Sequence, residues 1–499
     1  MKVGLRMARR AVVLACAGAS MWALAAGATR AQEIVIALGS EPTTLDPQIR
    51  QDGGERAVND NIYEALIFRT PKGELVPGLA AEMPRLLDPT TWQFRLRAGV
   101  KFHNGEPFTA DAVVASIARM LDPAVRSENL SYFSTLVRAE KVDDLTVNVV
   151  TKAPDSVFLS RMYWLKIIPP QHARSPGFAT QPVGTGPYRL VEWVRGERVV
   201  LAANPDYWGA KPGVQRVTYR FVSEIGTRLS GLLAREFDII SNLQPEYVKR
   251  APKIGRVPAL EVPVVIPNAI SGVTADARVR LALNLAVDKK AIAEKLFGGF
   301  ASVSDGQFIS ATWFGHDPTI NAYPYDPAKA RALLKEAGAG GAAIELVGTA
   351  GRWLKDRETV EAIAAYWQAV GLKVDVKILE FDGYLKRLFD RQSRPQAIYV
   401  SHANPLLHAD RTLSDYYHEK GRGSSNKDAE LAALIERARS ETDPAKQAEI
   451  YHMVMKRAHE QAYFVTLVGI DVLYGLSQRM DWTPGVDGKF LAKDMKVTR

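Results

Sequence analysis

The amino-acid sequence predicts an α/β protein whose open sheets are divided among more than one lobe. Strand-like runs alternate with capped helices along most of the chain, the pattern that builds sheets covered by helices. At 499 residues the chain is too long for a single hydrophobic core. Its 47% hydrophobic and 24% charged residues are an ordinary globular composition, and no tract is biased enough to resist folding.

Residues 1–31 are of another kind. Lys2, Arg6, Arg9 and Arg10 open the chain with positive charge, residues 11–28 form an uncharged and largely apolar run, and the small residues up to Ala28 and Ala31 suit signal peptidase. The expectation is a cleaved export signal and a periplasmic product. The alternative, an uncleaved anchor, meets a run so rich in Ala and Gly that it is weakly hydrophobic for a permanent span. Arg9-Arg10 leaves Sec and twin-arginine export both open. Cys16, the one cysteine of the sequence, follows Val13-Leu14-Ala15 as in a lipoprotein box, but the stretch from Ala11 to Ala15 is too short for a working apolar core. Once processed, the chain has no cysteine, which excludes disulfides, thiolate catalysis and Cys-ligated metals. Cutting at Ala31 also removes five basic residues and no acidic one, leaving 59 basic against 55 acidic side chains, a balance of +4. The formal +9 of the whole sequence therefore does not argue for nucleic-acid binding.

Residues 34–38 are a buried-strand candidate closed by Gly39, and the polar loop Ser40-Glu41-Pro42-Thr43-Thr44-Leu45-Asp46-Pro47 leads to a helix near 56–66. A polar loop opening from a strand end is a common place for ligand contacts, which makes Ser40 and Glu41 candidates; a turn with ordinary caps is the alternative. Trp92-Gln-Phe94-Arg-Leu96 alternates apolar and polar side chains as a half-buried strand does, with turn pairs at Ala98-Gly99 and Asn104-Gly105. Thr109 is placed to cap a helix with Asp111 in its first turn and Val113, Val114, Ile117 and Met120 on one face. Arg95, Arg97, Lys101 and His103 read as a solvated strand face rather than a phosphate site. Pro182-Val-Gly-Thr-Gly-Pro-Tyr188 opens a hairpin of 188–194 and 198–203, and Gly184 and Gly186 suit a tight crossing with unusual φ and close backbones. Tyr207 and Trp208 are expected to pack at the hairpin end.

In the second half Asp276 caps a helix over 279–287, and Asp326-Pro327 starts a helix stopped by Gly338. Residues 356–370 form an amphipathic helix ended by Gly371, and Val374, Val376 and Ile378 alternate as a strand. Helices near 428–442 and 444–461 precede a strand-like run at 463–467. The glycine-rich turn at 338–343 follows a helix and precedes a strand, the reverse of what a dinucleotide site needs. The patterns GxxxxGK[ST], HExxH and GxSxG are absent from the sequence.

The run WQFRLRAGVKFHNGEPFTADAVVASI at 92–117, with PVGTGPY at 182–188, NPDYWG at 204–209 and RVRLALNLAVDKK at 278–290, resembles the family 5 extracellular solute-binding proteins. These are the periplasmic receptors of peptide, nickel and opine ABC importers. The resemblance spans nearly all of the chain past residue 31 and implies a two-lobe periplasmic binding protein (Venus-flytrap) fold of type II. Lobe I would comprise 32–262 plus 475–499, with an inserted subdomain at 68–186, and lobe II 263–474, hinged on strands near 262–266 and 464–468. It also implies a monomeric receptor rather than an enzyme, with no cofactor and no protein-held metal. Such a receptor would close on a peptide-like or other small solute and deliver it to the permease subunits of an ABC transporter.

The resemblance further implies where a ligand would sit. In the family's peptide receptors an arginine after the strand beyond the Gly338 turn holds a ligand carboxylate, and Arg352 in Gly348-Thr-Ala-Gly-Arg-Trp-Leu matches that place. Guanidinium suits the role through paired, charge-assisted hydrogen bonds. An exposed loop arginine is the alternative. Dipeptide and oligopeptide receptors carry an aspartate after a further strand for the ligand's amino terminus; here Tyr399-Val-Ser-His-Ala-Asn404-Pro405 puts Asn404 there, which cannot supply the compensating charge. Asp410 takes that role if the loop is longer. His402 is a candidate hydrogen-bonding group, and Trp313, Trp353 and Tyr384 are candidates for covering apolar ligand surface, with core packing as the alternative. His402, His408, Asp410 and His418 have no fixed spacing that would bring them onto a metal. Asn404 keeps open a non-peptide solute such as an opine, a sugar or a metal-chelator complex. The rival class is a secreted hydrolase with paired carboxylates near Asp382 or Asp410.

Overall fold

The computed structural model describes residues 33–498, so the export signal and cleavage expected within residues 1–31, and Cys16, lie outside the described residues. Its main sheet has twelve strands. Along its path the neighbours are Lys373–Leu379, Ala343–Thr349, Ala397–His402, Lys253–Pro267, Val468–Leu476, Ile239–Ile240, Glu33–Leu38, Arg216–Phe221, Arg198–Ala203 and Tyr188–Val194. Two members hold the halves together. Lys253–Pro267 pairs over its first part with Val468–Leu476 and over its second, from Val262 to Pro267, with Ala397–His402. The register shifts between Val257 and Glu261, where Ala259 takes φ +48° and its N–H is accepted by Asp471 at 3.0 Å. The chain thus leaves one half of the sheet and enters the other without a loop.

In the half around Ala397–His402 the strands Ala343–Thr349, Lys373–Leu379 and Ala397–His402 run parallel, so their carboxyl ends share one edge. Helices cover both faces, as parallel strands require. Ala277–Leu285, Pro327–Glu336 and Asp356–Ala369 pack on one side around Trp367, whose Nε1 donates to the Leu283 carbonyl at 3.1 Å. Phe381–Phe389, Ala429–Ser440 and Pro444–Glu460 pack on the other. The helix starts follow local chemistry: Asp276, Asp326, Asp428 and Asp443 each accept a first-turn backbone N–H. Thr109 occupies the cap of Ala110–Leu121 but makes no such bond. The helix expected at 56–66 is Gly53–Ile62, begun earlier because Asp52 accepts the Gly53 N–H.

A separate antiparallel sheet, ordered Arg85–Asp88, Thr91–Arg95, Thr146–Thr151, Leu136–Asp143, carries Ala110–Leu121 with Val113, Ile117 and Met120 fully buried. Trp92 stacks on Phe158 at 4.7 Å. His103 is not on a solvated face: its N–H donates to the Gly184 carbonyl at 2.9 Å and its ring Nε2 lies 3.0 Å from the Gly186 carbonyl. A Cβ at Gly184 would stand 2.0 Å from the Ile62 carbonyl oxygen, and one at Gly186 2.6 Å from those of Asn61 and Ile62. Backbone proximity alone demands glycine there, since neither residue takes positive φ. Glu64 accepts from Thr185, Tyr207 and Trp208 at 2.9, 2.8 and 2.8 Å, fixing this crossing to the end of the hairpin.

Beneath the crossing lies a buried charge network. Asp60 faces Lys166 at 2.5 Å, Lys489 at 3.6 Å and Arg56 at 3.9 Å. Burial alone would raise the Asp60 carboxyl, but the three cations outweigh it and hold it well below the usual carboxylate range. Burial pulls Lys489 down to about 7. Removing the anion strands buried cations, which costs about 3–5 kcal/mol. Asp60→Asn is therefore expected to move the urea midpoint down by that amount of unfolding free energy, and an unchanged midpoint would refute the network's role. Gly184→Ala is expected to yield no soluble folded protein on expression, because the Ile62 backbone cannot retreat from the new methyl group and the Tyr63 ring is buried beside it.

Candidate functional site

The carboxyl ends of the three parallel strands open onto a cavity of about 550 Å³, within the size range of small-ligand sites. One wall comes from the loop after Ala343–Thr349, helix Phe381–Phe389 and the end of Ala397–His402; the opposite wall comes from the start of Gly53–Ile62, from Asn129 and Tyr132, and from Trp164. A groove of about 790 Å³ shares Glu261, Arg352 and Trp353 with it. On the far side a hollow of about 600 Å³ shares Tyr132, Arg411 and Arg422.

The loop carrying Arg352 is shaped by one carboxylate. Asp356 accepts the backbone N–H of Gly351, Arg352, Trp353 and Arg357 at 3.0, 2.9, 3.1 and 2.9 Å. Held this way, Arg352 lies over the Phe381 ring at 5.3 Å, with no carboxylate within 4.0 Å among the described residues. Trp353 meets Tyr384 and Tyr399 edge-on at 5.8 and 6.0 Å. Tyr384 contributes its ring to the wall, while its hydroxyl donates to the Tyr399 carbonyl at 2.8 Å. His402 sits at the strand end, packed edge-on against Phe308, Trp313 and Tyr416 at 5.8, 6.0 and 5.6 Å. Burial, reinforced by Arg411 and Arg422, pulls its pKa to about 3, so the ring is neutral. Its Nε2 and the Trp164 Nε1 are buried without a hydrogen-bond partner and line the same cavity. Orphaned buried polar atoms of this kind are rare unless something else satisfies them.

Several residues expected at the site stand elsewhere. Glu41 is turned away: its carboxylate accepts from Trp193 Nε1 and the Gly196 N–H, both at 2.9 Å, tying the first loop to the 188–203 hairpin. Ser40 is exposed beside a smaller hollow of about 210 Å³ that shares Arg56 and Asp487 with the main cavity. Trp313 is core, 2% exposed, behind His402. Asn404 does border the main cavity, but it is fully buried and its amide is occupied by its own loop, donating to the His408 carbonyl at 2.6 Å and accepting from the Leu406 N–H at 3.1 Å. Asp410 faces the far hollow, paired with Arg439 at 3.0 Å and near Arg161 at 3.9 Å, so it does not share a cavity with Arg352. His408 caps a short helix turn and stacks on Phe314, while His418 pairs with Glu436. Among the described residues no group of three or more His, Cys, Asp or Glu is disposed to hold a metal. Nothing in the local pattern marks Trp164 or Glu261 as cavity residues, or Asp356 as the acid that shapes the Arg352 loop.

The two walls also touch around the cavity. Arg69 donates to the carbonyls of Pro405 and Leu406 at 3.2 and 2.6 Å, and Leu406 packs into the core of the separate sheet. Arg411 bonds the Tyr132 hydroxyl and lies 4.3 Å from its ring; Lys355 meets Glu246 at 3.3 Å.

Known proteins share this architecture. The chain is 33% identical over 338 residues to the glutathione-binding protein GsiB of Pectobacterium atrosepticum, covering 64% of this chain and 65% of that protein. It is 28% identical over 485 residues to the dipeptide-binding protein of Escherichia coli, covering 88% and 89%. The structure of HbpA2 from Haemophilus parasuis superposes with a TM-score of 0.85 at 24% identity, covering 94% of this chain and all of that one. The periplasmic binding protein DppA of Helicobacter pylori, in complex with the peptide STSA, gives 0.75 at 24% identity, over 94% and 98%. The fold is the two-lobe fold of the type II periplasmic binding proteins. The model of the bacterial extracellular solute-binding proteins, family 5 Middle, matches residues 74–424, and the chain belongs to that family.

Proposed function

We propose that this chain is the periplasmic substrate-binding protein of an ABC importer, taking a short peptide or similar small solute between its lobes and presenting it to the permease. The observation that carries the reading is the unpaired Arg352 guanidinium in a cavity whose walls also hold two buried ring nitrogens without partners, the Trp164 Nε1 donor and His402 Nε2. A guanidinium with no protein carboxylate within salt-bridge distance among the described residues, beside an unpartnered indole N–H, suits a ligand bearing a carboxylate and carbonyl oxygens. The relatives named for glutathione and dipeptides fit such a ligand. The export signal expected at 1–31 fits a periplasmic site of action, and no helix among the described residues is long and apolar enough to cross a membrane. The reading assigns no catalysis.

In this reading lobe I is 32–262 with 475–499, including the insertion at 68–186, and lobe II is 263–474. Arg479, which clasps Asp238 at 2.6 and 2.7 Å, ties the C-terminal segment to the first lobe. A ligand touching both walls stabilises the closed arrangement by its differential affinity for it, and closure removes water from around Arg352. Arg352, Trp353, Tyr384 and His402 are the ligand-facing residues; Asp356 positions the first two.

Native mass spectrometry of the protein purified from its own host, followed by calorimetry with short peptides, tests the reading. Saturable binding without product supports it, and turnover of the peptide would sink it. Arg352→Ala is expected to weaken binding by roughly ten- to a hundredfold, the worth of a charge-assisted hydrogen bond, with Tm unchanged. Asp356→Asn, which loosens the loop, is expected to weaken the same ligand while leaving the sheet intact. His402 is neutral down to about pH 3 when folded but titrates near 6.5 when unfolded. The unfolded chain therefore binds more protons between those values, and stability falls as pH drops through that window. Thermal unfolding from pH 7 to 4 is expected to show this fall, less steeply in His402→Gln.

A further inference from the structure

One carboxylate at the cavity has no cationic partner. Glu261 stands on Lys253–Pro267 at the register shift, where the strand passes from one half of the sheet to the other. It accepts a single hydrogen bond, from Ser401 Oγ at 3.3 Å, and among the described residues no Lys, Arg or His approaches it within 4.0 Å. The other acids of the cavity are engaged: Asp52 pairs with Arg50 at 3.0 Å and caps its helix, and Asp487 accepts the Tyr163 hydroxyl. Glu261 and Arg352 line both the cavity and the adjoining groove, so they meet at the junction of the two. Burial raises the Glu261 carboxyl, an effect that Ser401 and Arg352 reduce without cancelling. An unpaired carboxylate in such a place is unfavourable unless a bound cation compensates it.

We propose that Glu261 receives the ammonium group of the ligand, so that the solute is a zwitterion whose amino group is held beside the carboxylate bound by Arg352. This rests on the reading of Arg352 as the carboxylate holder. It also explains how the cleft does without an acid in the loop after Ala397–His402, where Asn404 is consumed and Asp410 faces another hollow. The glutamate lies on the crossing strand rather than on a loop, paired with Ile470 on one side and followed at Val262 by pairing to His402 on the other, so its position is fixed by the sheet.

Calorimetric titration with L-alanyl-L-leucine and γ-L-glutamyl-L-leucine, each free and N-acetylated, tests the proposal on the wild type, Glu261→Gln and Arg352→Ala. The wild type is expected to prefer free over acetylated peptide by roughly ten- to a hundredfold. Glu261→Gln should lose that preference by weakening the free forms alone, and Arg352→Ala should weaken both forms alike. Equal binding of free and acetylated peptide by the wild type overturns the proposal without recourse to any variant, as does a Glu261→Gln protein that keeps the preference or weakens both forms equally. If Arg352→Ala binds as the wild type does, the carboxylate reading fails instead. A wild type that binds no member of the panel overturns both.

Discussion

Everything in this molecule hangs on a strand that belongs to two half-sheets at once. Lys253–Pro267 cannot tilt relative to Val468–Leu476 without disturbing its pairing to Ala397–His402, so the walls of the cavity are related by backbone hydrogen bonds. The one concession is the irregularity at Pro258 to Leu260, where left-handed Ala259 is held by Asp471. Backbone strain of that kind persists only where its surroundings over-determine it. Here it sits at the place where bending between the halves has to be absorbed.

The two halves solve the problem of buried charge differently. In the first, Asp60 is surrounded by three cations and the cluster is internally compensated, a rigid plug beneath the crossing of 184–186. In the second, polar groups at the cavity are left without partners on rigid supports: the charged Arg352 on a loop gathered by Asp356, and the neutral His402 on a strand end packed among aromatic rings. Compensated charge stabilises the frame; uncompensated charge is tolerated only where solvent or a ligand can reach it. The family-like segments 92–117 and 182–188 belong to the first kind, since His103 and Gly184 lock them to each other.

What could be read from the sequence was mostly what is decided within a few residues. Asp276, Asp326, Asp428 and Asp443 announce their helices because a cap needs only its own first turn. The hairpin strands Tyr188–Val194 and Arg198–Ala203 were fully legible in alternation around Arg195-Gly196. The helix at Gly53–Ile62 was misplaced because Gly53 and Gly54 argue against a helix start that Asp52 nevertheless caps. The long crossing strand was legible only near its end, since Pro258 and Pro263 interrupt any ordinary strand pattern. At the site, Arg352, Trp353, Tyr384 and His402 do line one cavity. Glu41 and Asp410 are settled by partners outside their local pattern, Trp193 and Arg439, and Trp313 by core packing, whereas Asn404 borders the cavity with its amide taken up by its own loop. Asp356 read only as a helix start, because its service to four backbone groups depends on how the preceding loop folds back.

Leu406 adds a kinetic side to the picture. It is an apolar side chain from the loop after Ala397–His402 seated in the core of the separate antiparallel sheet, with Arg69 clasping the carbonyls at its base, a contact between the two proposed lobes. Separating the lobes must expose that side chain to water before any new contact is made. A cost of that form is borne in the transition state for opening and is the same whatever occupies the cavity. For a receptor that closes as proposed, the lifetime of the closed form is set partly by the protein itself, and differences among cargoes act on a residence time that already has a floor.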